Sequence, residues 1–282
     1  MLTKIFNITF YERDKLLYVR FFGCNFNCKI CINNLSIYDT HLPSYILNLL
    51  HKEELKFLKI SEFEELIKEL NKDFEINYAV LGGGEPSLDP NLPRIINFLK
   101  KYDIKVRMLT NGYLLNNNYL DKLCKSKFDI NDKIIISIKS IINDKHKLIT
   151  GKDVDVVLSN VKSMYNRKLS ISIETVHIPQ LNDFEDIEEL AKWISQNLDS
   201  EIELIIDPYV PIPKLEFRSP SPEERFKAYT YAKKWLNNVT YRLLKVDDRN
   251  GNGGYIVQKG IRIGWRERIL GNIHLIYPHV SY

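Results

Sequence analysis

The sequence predicts an α/β fold in which six strand–helix repeats curl into a partial, TIM-like (β/α)6 barrel, followed by a C-terminal β-rich extension. Three observations carry this. Apolar, β-branched runs alternate with amphipathic helical patterns along most of the 282 residues. The runs read as buried strands, which belong to a parallel sheet with helices outside. After the sixth repeat the alternation stops at a turn-rich stretch, DDRNGNGG, in residues 247–254.

The strand candidates are LLYVRFF (16–22), NYAVLGG (77–83), IKVRMLT (104–110), KIIISIK (133–139), LSISIETVHI (169–178) and EIELIID (201–207). Helical patterns fill the gaps. The first starts at Ser61 with a capping box to Glu64, and the second follows Pro90. Residues 117–126, 154–166 and 183–198 hold the next three. The sixth has Ser221 as N-cap, Pro222 in its first turn and Glu224 three residues on. Residues 1–240 are thus expected to form the barrel and 241–282 a basic extension, with GYIVQKGIRIGW as a hairpin packed on the core. Residues 32–58 are a long connection, which suggests function. A barrel of this kind carries its chemistry at the C-terminal strand ends.

At 44% apolar and 27% charged residues the chain can bury a sizeable core. No apolar run reaches the roughly 18 residues of a membrane span. The N-terminus, MLTKIFNITFYERDK, lacks the apolar region of a secretory signal, so a cytoplasmic, thiol-reducing setting is expected. From Arg242 onward seven basic residues face three acidic ones, a surplus of four that equals the net charge of the whole chain. An anionic partner would meet this segment first, although it also reads as a solvated surface.

FFGCNFNCKICIN (21–33) holds three of the four cysteines: Cys24, Cys28 and Cys31, spaced C-x3-C-x2-C. A disulfide would leave one of three close thiols unpaired. Zinc would want a fourth ligand. An iron–sulfur cluster fits thiolates better, and three ligands on four irons leave one iron open to a small molecule. The motif follows the first strand candidate. LGGGEP, Leu81 to Pro86, ends the second, where glycines let the backbone approach a ligand and Glu85 offers a carboxylate.

With these residues in place the chain resembles the radical S-adenosylmethionine (SAM) enzymes, and within them the pyruvate formate-lyase activating enzymes and other activators of glycyl-radical enzymes. The matching stretches are GCNFNCKIC, YDTH, GGGEP, TNG (110–112), ISIK (136–139), a strand running to Pro179, and LIIDPYVP, over roughly 15–245. The resemblance implies a barrel of radical SAM type. It implies that Cys24, Cys28 and Cys31 hold a [4Fe–4S] cluster and that Ile30 contacts the adenine of SAM. Gly83, Gly84 and Glu85 would line the methionyl amino group. Thr110, Asn111, Ser137 and Lys139 would lie near SAM at the third and fourth strand ends. It also implies the chemistry: an electron from the cluster breaks the C5′–S bond of SAM, and the 5′-deoxyadenosyl radical abstracts a hydrogen. The partners would be an electron donor such as a flavodoxin or ferredoxin and an unidentified substrate, a protein, an RNA or a metabolite, with no membrane involved. Oxygen would have to be kept away.

The resemblance thins at three positions. Ser137 stands where the activating enzymes carry an aspartate, Glu174 where an arginine is expected, and Val210 in place of a histidine. The leading expectation is activase-like chemistry on a protein or peptide. The rivals are radical modification of a nucleic-acid base or metabolite, and a non-catalytic iron–sulfur or zinc protein. Cys124 is expected to be a buried structural cysteine and His177 a packed one. His41 could be functional or structural. Trp265, Tyr255, Tyr277 and Tyr282 interleave with arginines, as in a single-strand-binding surface or an ordinary hairpin.

Overall fold

The computed structural model describes residues 1–11, 14–40, 42, 47–48, 50–52 and 54–242, and the backbone of 261–263 and 276–278. Eight strands form one sheet: β1 (Ile5–Tyr11), β2 (Leu16–Phe21), β3 (Tyr78–Gly83), β4 (Lys105–Thr110), β5 (Lys133–Ser137), β6 (Ile171–His177), β7 (Glu203–Pro208) and β8 (Val239–Tyr241). They lie side by side in chain order, with β2 to β8 parallel and β1 antiparallel to β2. Among the described residues β1 and β8 are the two edges, so the sheet is a barrel left open. The helices are α1 (Ile60–Asp73), α2 (Leu92–Lys100), α3 (Asn117–Cys124), α4 (Asn143–Thr150), α5 (Val154–Asn166), α6 (Phe184–Asn197) and α7 (Pro222–Lys233).

The expected strands all form, each end within two residues of its expected place. Parallel neighbours need long crossovers, and the helices supply them. Side chains alternate across each strand. One set, including Ile134, Ile136, Ile173, Leu204 and Ile206, is fully buried in the main core. The other set carries Ser137, Glu174 and Asp207 at the C-terminal ends. The pleat therefore separates an apolar helix-facing side from a polar side where chemistry can sit.

Two strands and one helix go beyond the sequence reading. β1 is buried along its whole length, with Phe6 in a satellite cluster with Tyr38, Leu42 and Leu50. This cluster gives part of the 32–58 connection a packing role. β8 is too short for any pattern to reveal, and α4 interrupts what looked like one crossover. The cap of α1 also differs. The helix begins at Ile60, and Glu62 accepts the Lys59 N–H at 2.6 Å, while Glu64 pairs with Arg94 at 2.8 Å. Cys124 is exposed on α3 rather than buried: Leu120 and Leu123 take the inward positions and turn it to solvent.

The expected hairpin lies outside the described residues except for β9 (Ile261–Ile263), which pairs antiparallel with β10 (Ile276–Pro278). The side chains of the extension beyond Arg242, and His41, also lie outside them. Among the described residues no helix is long and apolar enough to cross a membrane.

Candidate active site

The cysteine loop leaves the end of β2 and is fastened to its neighbours by backbone contacts. Gly84 N–H donates to Phe21 O and Glu85 N–H to Gly23 O, both at 2.8 Å. A Cβ on Gly84 would stand 2.3 Å from Gly23 O and 2.6 Å from Phe21 O, so only glycine allows this approach. Gly83 has φ +87°, a conformation that side chains disfavour, and its carbonyl accepts from Asn33 Nδ2 at 2.9 Å. The GGGEP run is thus the seat of the cysteine loop. Further along, Asn27 N–H and Lys29 N–H donate to Thr150 O and Ile149 O at the end of α4, both at 3.0 Å. Ile30 is buried in an apolar cluster with Ile149, Ile178, Tyr209 and Ile212.

Glu85 is turned inward and buried. Its Oε1 accepts from Ser87 N–H at 3.0 Å, Ser87 Oγ at 2.6 Å and Thr110 Oγ at 2.7 Å. Its Oε2 accepts from Asn111 N–H at 2.7 Å. Burial raises its pKa, while these donors lower it. One carboxylate therefore joins the end of β3 to the TNG turn after β4. Asn111 then reaches the cysteines: its Nδ2 is 3.5 Å from Cys24 Sγ and 2.7 Å from Asn25 Oδ1.

Cys28 senses the charges of Cys24 and Cys31, and Cys24 senses that of Cys31. Burial pushes the Cys28 thiol up to about 11, and the Lys139 charge opposes this. Phe26 N–H points at Cys24 Sγ at 3.4 Å, and Asn25 Nδ2 is buried without a partner. Soft sulfur donors, amide N–H groups aimed at them and an orphaned amide all suit an iron–sulfur cluster. His146 of α4 is fully buried beneath the loop, its ring edge-on to Phe26 at 5.8 Å. Its Nδ1 meets Ser140 O at 3.1 Å, and Nε2 is buried without a partner. Burial holds its pKa down at about 4.

The remaining site residues line the C-terminal ends of β5 to β8. Lys139 Nζ donates to Ser137 Oγ, and Ser137 Oγ to Glu174 Oε1 at 3.3 Å. Arg242 Nη1, just past β8, meets Glu174 Oε2 at 3.2 Å and Asp207 Oδ2 at 3.2 Å. Asp207 is raised to about 6 by burial and by the Glu174 charge. Sequence reasoning named Ser137, Glu174 and Lys139 but missed Arg242, Asp207, Asn25 and His146 as members of the site. Asp207 lay in view inside LIIDPYVP, and Asn25 between two cysteines. Arg242 follows a strand of three residues, which leaves no periodic trace. His177 is packed and paired as expected, with Tyr241 Oη at 2.8 Å and Asp183 Oδ1 at 3.0 Å.

The family model of the radical SAM superfamily matches residues 18–194, well over half of the chain. The chain belongs to that superfamily, whose members are enzymes that use a [4Fe–4S] cluster and SAM, and Cys24, Cys28 and Cys31 fit its cysteine motif. It is similar to a putative glycyl-radical enzyme activating enzyme of Methanocaldococcus jannaschii, 28% identical over 79% of this chain and 78% of the relative. It is also similar to a probable GTP 3′,8-cyclase of Saccharolobus islandicus, 32% identical over 69% of this chain but only 57% of the cyclase. Among solved structures, Streptococcus suis SuiB bound to S-adenosylmethionine shares the fold, with TM-score 0.59 and 15% identity over 86% of this chain and 48% of SuiB.

Two outcomes follow from the loop's seat. Gly84→Ala should cost about 3 kcal/mol in urea denaturation, since backbone carbonyls must move to admit the Cβ. His146 stays neutral in the fold, whereas the unfolded chain takes up a proton below about pH 6.5. Stability should therefore fall as the pH drops from about 6.5 to 4, by up to about 3 kcal/mol, and His146→Gln should remove that part of the slope in denaturation curves across the range.

Proposed function

We propose that this radical SAM enzyme acts in the manner of an activating enzyme, taking a hydrogen atom from the backbone of a protein or peptide. The observation that carries this reading is the Methanocaldococcus relative, which matches across nearly four-fifths of both chains. The cyclase match leaves over two-fifths of that relative uncovered.

In this reading Cys24, Cys28 and Cys31 hold the cluster. Such a cluster would supply the electron for reductive opening of the C5′–S bond of SAM, the chemistry from which hydrogen abstraction would follow. The backbone of Gly83, Gly84 and Glu85 lines the methionyl amino group, with the Glu85 carboxylate shaping the turn from inside. Ile30 offers an apolar surface to the adenine. Thr110 and Asn111 close one side of the SAM site and Ser137 the other. Lys139 carries the positive charge that suits the SAM carboxylate. The guanidinium expected at the fifth strand of the barrel comes instead from Arg242, which is why Glu174 is tolerated there: the two are ion-paired.

A second reading, a nucleobase or other metabolite as substrate, is favoured by the 32% identity to the cyclases. The test is anaerobic. The reconstituted protein, with dithionite and SAM, is expected to hold four irons and form 5′-deoxyadenosine, and a Cys24/Cys28/Cys31→Ala variant to do neither. Deuterated extract of the producing cells, split by size, separates the readings. Deuterium reaching 5′-deoxyadenosine from the macromolecular fraction supports a protein substrate. Deuterium arriving only from the small-molecule fraction contradicts it.

A further inference from the structure

We propose that Asn111 sets the reduction potential of the cluster by donating a hydrogen bond to the Cys24 sulfur, and that Glu85 is the residue that positions it. The proposal rests on Cys24 being a ligand of the cluster. The Asn111 side chain is held from three sides. Its Oδ1 accepts from Tyr113 N–H at 3.0 Å, which fixes the amide orientation. One Nδ2 hydrogen serves Asn25 Oδ1 at 2.7 Å, and the other faces Cys24 Sγ at 3.5 Å. Its backbone N–H is held by the buried Glu85 carboxylate at 2.7 Å. An amide carries two N–H donors, and both are accounted for.

Among the described residues, Cys24 is the cysteine of the motif whose sulfur faces a side-chain donor, and it also faces Phe26 N–H at 3.4 Å. Reduction adds one negative charge to the cluster and its thiolates. An N–H aimed at a thiolate stabilises the more negative state more, so it raises the potential. Asn111 is only 9% exposed while Cys24 is exposed, so the donor reaches the sulfur from the protein side. The orphaned Nδ2 of Asn25, on the residue next to Cys24, is a second amide donor without a protein partner. The pair Asn25–Asn111 thus forms an amide patch against one corner of the metal site.

The experiment is an anaerobic redox titration, followed by electron paramagnetic resonance on the reconstituted protein without SAM. Asn111→Ala should make reduction about tenfold less favourable, or about 59 mV lower for one electron. Asn111→Asp should lower it further, because a carboxylate replaces the donor. Glu85→Gln also removes a negative charge that reaches Cys24, which raises the potential, so positioning is read by difference. Asn111→Ala should lower the potential by less in the Glu85→Gln background than in wild type, and an equal step in both overturns the role of Glu85. If Asn111→Ala fails to hold a cluster, an Asn25→Ser variant labelled with 15N at asparagine side chains decides, since Asn25 carries the other amide beside Cys24. A 15N hyperfine coupling in the reduced state supports the proposal, and its absence overturns it. Four irons with an unchanged or raised potential in Asn111→Ala overturn the role of Asn111 while leaving the ligand assignment intact. A wild-type protein that binds no iron contradicts the ligand assignment itself.

Discussion

The architecture of the site depends on one buried carboxylate. Glu85 is only 1% exposed. An unpaired carboxylate in that position would cost several kcal/mol, and a charge-assisted hydrogen bond offsets about 1.5–3 kcal/mol. Donors from Ser87, Thr110 and Asn111 cover both oxygens. The burial is therefore tolerable only while the ends of β3 and β4 stay together. Because Glu85 N–H also holds Gly23 O, the same residue seats the cysteine loop. The GGGEP and TNG motifs, 25 positions apart at Glu85 and Thr110, are one structural unit.

The polar face of the sheet distributes charge in a matching way. Lys139 is near enough to Cys28 to favour its thiolate and near enough to Asp207 to favour its carboxylate. Beyond it, Glu174 and Asp207 share one guanidinium. Two carboxylates on one cation leave Asp207 harder to ionise. The metal end is thus lined by amide donors and a lysine, and the far end by acids clamped on Arg242.

Much of this was legible from sequence, for physical reasons. Strands buried between helices leave dense apolar runs, so β2 to β7 could be read directly. Cys24, Cys28 and Cys31 carry their chemistry in their spacing, and Gly84 carries its steric requirement in its identity. What stayed hidden depends on three-dimensional pairing. Glu85 reads as a carboxylate facing a ligand, and only the fold shows its oxygens occupied by Ser87, Thr110 and Asn111. Glu174 reads as a charge reversal until Arg242 arrives just past β8, nine residues after α7 ends at Lys233. β1 lay in a stretch read only for its lack of a signal sequence. Cys124 was misplaced by a single helical position, since Leu123 takes the inward one.

The measurement that bears most directly on this account is hydrogen exchange, read by mass spectrometry, on wild type and Glu85→Gln. If the carboxylate is what holds the strand ends and the cysteine loop together, residues 21–33 and 110–113 should lose protection together while the helices stay unchanged. Unchanged protection in residues 21–33 of the variant would contradict it, and would mean that the loop is seated by its backbone contacts with Gly84, Glu85 and α4 without the carboxylate.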